Sequence, residues 1–343
     1  MNYSTQVLRK CFEKAIEDKQ AFLACKHPKS RTVHLYQSNL AQDGKSKIRL
    51  QTFDTEKPFV EFGISNHIIL AAEQFTTRTN FKSSNRFEDD FPQYRELFDK
   101  AQKFLNEGNS KVVISRKIDK QIAVDVVEVF KRLISTFDNA FVYVLYHPLF
   151  ELWIGATPES LAEVQGSKLK TTALAGTTKA IEGEAPKWRA KELLEQEIVQ
   201  TELIERFKEN EIYYQKEQTT NFKYGHLYHL KTDFTAFFDS HQKAVEAVSI
   251  LHPTSAVCGF PREEAKAFIL EHEKHARELY TGYIGIVHEE SAFFYVNLRC
   301  MKISEAQLSL YVGGGLNKSS SLEEEFEETN QKAKALLDIL NGG

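Results

Sequence analysis

Strand-like runs crowd together along most of this chain, and few of them are separated by a single helix in the βαβ manner. Between residues 21 and 75 they follow one another directly: Ala21–Ala24, TVHLYQ from Thr32 to Gln37, KIRLQTF, FVEFGIS and HIILAAEQF, broken by HPKS, AQDGKS and TEKP. This part predicts an antiparallel meander after a surface helix over residues 4–20, and the polar stretch TRTNFKSSNRFEDD (77–90) is expected to be mobile. Further strands follow as KVVISRKI, FVYVLY, ELWIG, a hairpin LAEVQGSKLKTTALAG turning at Gly166-Ser167, YHLKTDFTAFF, SAFFYVNLRCMKI and AQLSLYVGGG. Helices are predicted from Pro92 to Gly108, through VVEVFKRLIST, from near Pro186 to about Glu209, through HQKAVEAVSIL and EEAKAFILEHEK, and from Leu322 to about Leu340. Clustered strands with segregated helices predict an α+β fold with large, mainly antiparallel sheets. No internal repeat and no Pro/Gly/Ser-rich linker divides the chain.

With 343 residues, 42% of them hydrophobic, the chain can bury a large core. The 44 Lys+Arg against 48 Asp+Glu leave a net charge of −4, which provides no global field for nucleic acid or anionic lipid. A small anion would need a local cluster of cations. Cys11, Cys25, Cys258 and Cys300 are scattered and form no CxxC pair, against a zinc site or a disulfide framework. The N-terminus lacks an apolar h-region, and no apolar run approaches the ~20 residues of a membrane span. A soluble, cytoplasmic protein is expected.

The last predicted helix carries the most chemistry. Ser321 and Glu324 have capping-box spacing, and Glu325, Glu328 and Lys332 fall within about 60° of one another on a stripe that continues into Ala335, Leu336 and Ile339. The plain alternative is a solvated Glu328–Lys332 pair. In the helix after Pro186, Glu195 points between Ile198 and Val199, while periodicity leaves Glu192 and Glu202 open as well. Two carboxylates from two helices, completed by water and substrate oxygens, would suit Mg²⁺. Gly313, Gly314 and Gly315 end an apolar strand where bare amides could hold an anion, although such a run is usually a turn. Neither GxGxxG nor GxxxxGK[ST] occurs. Arg299 in its strand could clamp a carboxylate. Lys111 shares a strand face with Val113 and Ser115; a lysine there is usually solvated, but burial would give it the lowered pKa that a general base requires. His229 and His252 read as core or turn histidines.

The segments KVVISRKID, GATPESLAEV, TALAGTTK, KELLEQEIV, LYHLKTDF, LHPTSAVCGFPREEA, ARELYTGYIG, FFYVNLRC, LYVGGGL and EEEFEETNQKAKAL, in this order, resemble the chorismate-utilising family of isochorismate, salicylate, anthranilate and aminodeoxychorismate synthases. The likeness covers residues 92–340, with 1–90 a weakly matched, strand-rich part of the same catalytic domain, 1–343. It implies two large, mainly antiparallel sheets packed together and flanked by helices, with the active site in a cleft between them. It also implies roles: Glu195 and Glu328 as Mg²⁺ ligands with Glu325 close by; Lys332, Arg299 and the amides around Gly313 and Gly315 as the holders of two substrate carboxylates; Gly176 and His229 as lining of the ring pocket.

Within the family, the lysine that adds to the ring in aminodeoxychorismate synthases is replaced here by Ala175 in TALAGT, and ammonia users have glutamine where this chain has Lys111. The likeness therefore implies an isochorismate synthase, with Lys111 activating water, Glu159 of TPES as general acid, no glutaminase subunit and a monomer. A salicylate synthase is the nearest alternative, followed by an anthranilate or aminodeoxychorismate synthase subunit and an inactive anion-binding scaffold. The product would serve menaquinone or siderophore synthesis. The chain departs from the family in having Ser255 where proline is common and Gln196 near a usual histidine.

Overall fold

The computed structural model describes residues 2–38, 46–77, 90–179, 185–224, 227–304 and 307–340. Residues 78–89, most of the stretch expected to be mobile, lie outside the described residues.

Two nine-stranded sheets form the scaffold. Sheet one runs β14 (Gly259–Phe260), β6 (Lys111–Gln121), β18 (Gln307–Leu316), β17 (Cys300–Ser304), β8 (Glu151–Thr157), β7 (Phe141–His147), β1 (Phe22–Lys26), β2 (Thr32–Gln37), β5 (Asn66–Ala71). Sheet two runs β11 (Tyr214–Lys216), β13 (Leu227–Phe237), β10 (Lys168–Lys179), β9 (Ser160–Gln165), β16 (Ser291–Val296), β15 (Tyr283–Val287), β3 (Lys47–Gln51), β4 (Val60–Gly63), with β12 (Thr220–Tyr224) also on β13. Every pairing is antiparallel. Alternation along each strand sends one set of side chains between the sheets and the other outward. In β7, Phe141, Tyr143 and Leu145 join Ile284, Ile286 and Tyr295 of sheet two in the inner layer. Val142 and Val144 of the same strand face outward, into a cluster with Leu8, Phe130 and Leu336. That outer cluster is covered by α1 (Tyr3–Glu17), α3 (Val126–Thr136) and α8 (Leu322–Leu340). On sheet two, α4 (Ala190–Glu209), α5 (His241–Glu246) and α6 (Val248–Leu251) provide the cover. The helices α2 (Phe91–Asn106) and α7 (Arg262–His272) pack on β6.

Three expectations are corrected. The predicted N-terminal meander is divided: β1, β2 and β5 extend sheet one, whereas β3 and β4 extend sheet two through β15. Each hairpin completes the rim of a different sheet, and local alternation does not encode which one. SAFFYVNLRCMKI is two strands, β16 and β17, because the chain leaves sheet two for sheet one at Asn297–Arg299. Arg299 therefore sits in a crossover with φ +46°, exposed, and not in a strand. The helix expected near Pro186 begins at Ala190, where the Glu192 carboxylate accepts from Arg189 N at 3.1 Å and from its guanidinium.

The crossover at 297–299 lies beside the one at 157–159, which carries β8 into β9. Thr157 Oγ1 donates to Val296 O at 2.5 Å, Val296 N to Glu159 O at 3.1 Å and Ala156 N to Arg299 O at 3.1 Å. Asn297 is buried, accepts from the Tyr143 hydroxyl at 2.6 Å and donates to Leu279 O at 3.0 Å. Buried polar groups matched in this way fix both turns.

His27, His34, His67 and His288 gather where the two sheets meet. His34 Nδ1 and His67 Nε2 are 2.9 Å apart, and His27 Nδ1 lies 2.8 Å from the Tyr295 hydroxyl of sheet two.

Candidate active site

Lys111 opens β6 and its side chain runs alongside β18: a Cβ built on Gly315 would lie 3.0 Å from Lys111 Cε. Glycine at 315 leaves the amine its room. Lys111 is only partly accessible, in surroundings dense with protein, and burial holds its pKa below the usual lysine range. The carboxylates of Glu195, Glu202 and Glu159 act in the opposite direction without cancelling the shift. Glu159, placed by the first crossover, is pushed upward by its own burial, with Lys111 as the opposing charge. Each group therefore lies in the other's field, and each is displaced toward its neutral form. An amine that can accept a proton and a carboxyl that can donate one is the pairing required for general acid–base work.

The α4 glutamates left open by periodicity are now distinguished. Glu192 is buried against Arg189, and Glu202 is buried against Arg206 while its Oε2 accepts from Ser255 N at 3.0 Å. Glu195 is only half-buried, with Lys191 Nζ 4.0 Å away, and is the one of the three free to bind something else. On α8, Glu328 and Lys332 pair at 2.7 Å, and Lys332 Nζ also donates to Gly313 O at 2.8 Å. Glu325 accepts from Ser320 Oγ at 2.7 Å, and a Cβ on Gly314 would lie 3.2 Å from its Oε2. Burial raises the Glu325 pKa, Ser320 opposes this, and Glu328 adds to it. Lys191 acts on Glu325 as well as on Glu195, so the first turns of α4 and α8 approach each other.

Gly176 has φ +65°, and a Cβ there would be 2.8 Å from Glu192 O, so glycine lets the first turn of α4 rest on β10. His229 stands opposite Thr177, next to Gly176, on β13. The structure thus links Lys111, Glu159 and Glu195, groups Glu325, Glu328 and Lys332 around Gly313–Gly315, and sets Gly176 beside His229. Arg299 makes no ion pair among the described residues. Sequence reasoning missed Lys191, Arg206 and the Ser255–Glu202 bond. The i,i+4 spacings of Lys191–Glu195 and Glu202–Arg206 were the available signal for the first two.

Among the described residues, no three His, Cys, Asp or Glu side chains stand close enough to enclose a metal by themselves. Magnesium does not require such a cage: it is commonly held by one or two carboxylates, with water and substrate oxygens completing the shell. Glu195, Glu325 and Glu328 are hard oxygen donors of the kind Mg²⁺ takes, with Lys191, Ser320 and Lys332 as their present neighbours.

The family described as "Chorismate binding enzyme" matches residues 48–341. Isochorismate synthase EntC of Escherichia coli (strain K12) is 31% identical over 246 residues, 67% of this chain and 62% of EntC. The vibriobactin-specific isochorismate synthase of Vibrio cholerae is 29% identical over 251 residues, 68% of this chain and 62% of that protein. The chain thus spans somewhat under two thirds of the length of these relatives. The solved structure of MenF, the menaquinone-specific isochorismate synthase from Escherichia coli, superposes with a TM-score of 0.77 at 21% identity, covering 93% of this chain and 88% of MenF. No helix among the described residues is long and apolar enough to cross a membrane. Matched by the family profile over most of its length and built on the same pair of sheets, this chain belongs to the chorismate-binding enzyme family.

Proposed function

We propose that the protein is an isochorismate synthase that acts on chorismate with Mg²⁺ and water. The observation that carries this reading is the arrangement of Lys111, lodged beside Gly315, and Glu159, fixed at the crossover by Val296, with burial displacing each toward its neutral form. Lys111 takes a proton from water as its oxygen bonds to C2 of the ring. The two ring double bonds shift by one position, the C4–O bond breaks, and Glu159 protonates the departing hydroxyl, which leaves as water. Water in and water out balance, so the reaction is an isomerisation. Lys332 and the backbone around Gly313–Gly315 are suited to orient the substrate's carboxylates, with Arg299 at the crossover. Gly176 and His229 line the ring pocket. When bound by Glu195 and Glu328, with Glu325 near, Mg²⁺ would neutralise the ring carboxylate. Lys111 as base and Ala175 in place of a ring-adding lysine favour water over an amine, so the enzyme works without a glutaminase subunit, as a cytoplasmic monomer. The product would serve menaquinone or siderophore synthesis, a reading supported by relatives named as menaquinone-specific and vibriobactin-specific isochorismate synthases.

Purified protein with chorismate and Mg²⁺ should yield isochorismate; salicylate with pyruvate, or unchanged chorismate, would overturn the assignment. Lys111→Met and Glu159→Gln should each reduce turnover about 100-fold or more. Magnesium-dependent chorismate binding, followed by calorimetry, should survive in both.

A further inference from the structure

Buried polar atoms without a partner are rare in folded proteins and call for a ligand or an ordered water. Three such atoms among the described residues, His252 Nδ1, Thr254 Oγ1 and Ser255 Oγ, fall within four consecutive residues. Ser255 is wholly enclosed. This turn is fastened to the strand end that carries Lys111. Thr254 O accepts from Cys258 N at 3.0 Å, Cys258 O accepts from Val113 N at 2.8 Å, and Phe260 is the register partner of Lys111. From the α4 side, Glu202 accepts from Ser255 N, and both Glu202 and Cys258 act on the Lys111 amine. Two hydroxyls with spare hydrogen-bonding capacity therefore sit on a turn whose C-terminal end pairs with the strand that opens at Lys111 and whose Ser255 is bonded to Glu202, one of the carboxylates acting on the Lys111 amine. A water needs two to four polar partners to be ordered, and two hydroxyls with one amine supply three.

We propose that Thr254 Oγ1 and Ser255 Oγ hold the water that Lys111 deprotonates, and so act as positioning residues for the nucleophile. This rests on the isochorismate synthase reading. The water gives one proton to the Lys111 amine and donates its other O–H to a hydroxyl of the turn, while the remaining hydroxyl donates to the water oxygen and fixes the direction of its free lone pair. Ser255 has a double use, its N–H holding Glu202 and its Oγ the water.

Two measurements test this. A high-resolution crystal structure of the magnesium-loaded protein should show an ordered water within about 3.2 Å of Lys111 Nζ and of at least one of the two hydroxyls. In kinetics, the Thr254→Val/Ser255→Ala double variant should lose about tenfold to a hundredfold in kcat, with KM for chorismate within about twofold. Thr254→Ser, which keeps the hydroxyl, should retain most of the rate, a rescue that a purely structural role would not give to the smaller side chain. A kcat of the double variant within twofold of the parent, or no water bridging the turn and the amine, overturns the proposal. If the double variant does not fold, the crystal structure of the unaltered protein decides. A parent protein that shows the bridging water but makes no isochorismate would leave the water site standing and remove the functional reading instead.

Discussion

A lysine and a glutamate that approach neutrality together can do what neither does in water. With ordinary values of 10.5 for Lys111 and 4.5 for Glu159, the form with neutral amine and protonated carboxyl would be a trace species at any pH. Burial lowers the first value and raises the second, and each displacement enlarges that fraction. The pH profile of kcat/KM should therefore be bell-shaped, with both limbs inside the interval from 4.5 to 10.5. A limb at either boundary would show that the group concerned titrates as in water. The α4 glutamates give a second test at this scale. Glu195→Gln should weaken Mg²⁺ binding at least about tenfold, as expected of a lost carboxylate ligand. Glu192→Ala should leave Mg²⁺ affinity unchanged and lower stability by about 1 kcal/mol, since it removes a cap. Equal effects of both on metal affinity would reject the distinction. Sequence narrowed the candidates to these glutamates but could not choose, because all three project toward the covered side of the helix with Gln196, Leu203 and Phe207. What separates them is engagement: arginine partners occupy Glu192 and Glu202, and Glu195 has only a distant lysine.

Glycines govern how closely the working elements approach. Gly315→Ala would put a methyl group 3.0 Å from Lys111 Cε. The lysine is flexible and can yield, so the substitution should cost about tenfold in kcat with little loss of stability. Gly176→Ala meets backbone at 2.8 Å with φ +65°, and should cost about 1–3 kcal/mol in urea denaturation. If Gly315→Ala proved the more destabilising of the two, the packing described for β18 and α4 would be wrong. The final helix was legible almost to the residue, because its acidic first turn and periodic apolar face are local signals. The break at Asn297–Arg299 was not. The apolar pattern continues across it, and the turn is dictated by bonds to Leu279, Tyr143 and Ala156, all distant in sequence.

For the whole molecule, strand content and antiparallel character were legible from alternation, and the order of motifs pointed to two sheets. The sharing of residues 22–71 between both sheets was not, since either rim offers the same hydrogen bonds to an incoming hairpin. Those rims bring together the four histidines. Burial holds His27 and His34 down to about 4, so both are neutral when folded at pH 7. Depressed values make the folded state the poorer proton binder. The stability these groups confer is complete above 6.5 and is lost as pH falls toward about 4. The melting temperature should decline over that range, and His27→Asn/His34→Asn should flatten the decline between pH 6.5 and 5, where most carboxylates remain ionised. An unchanged slope would locate the acid sensitivity elsewhere.

One consequence follows from the paired crossovers. Lys111, the proposed proton acceptor, is carried near the rim of one sheet, whereas Glu159, the proposed donor, hangs from a hinge point where the chain passes to the other. Their separation is thus a gauge of how the two halves are seated, and slight thermal loosening would lengthen the proton route before any strand is released. On slow heating, turnover should fade while the far-ultraviolet signature of the strands is still intact.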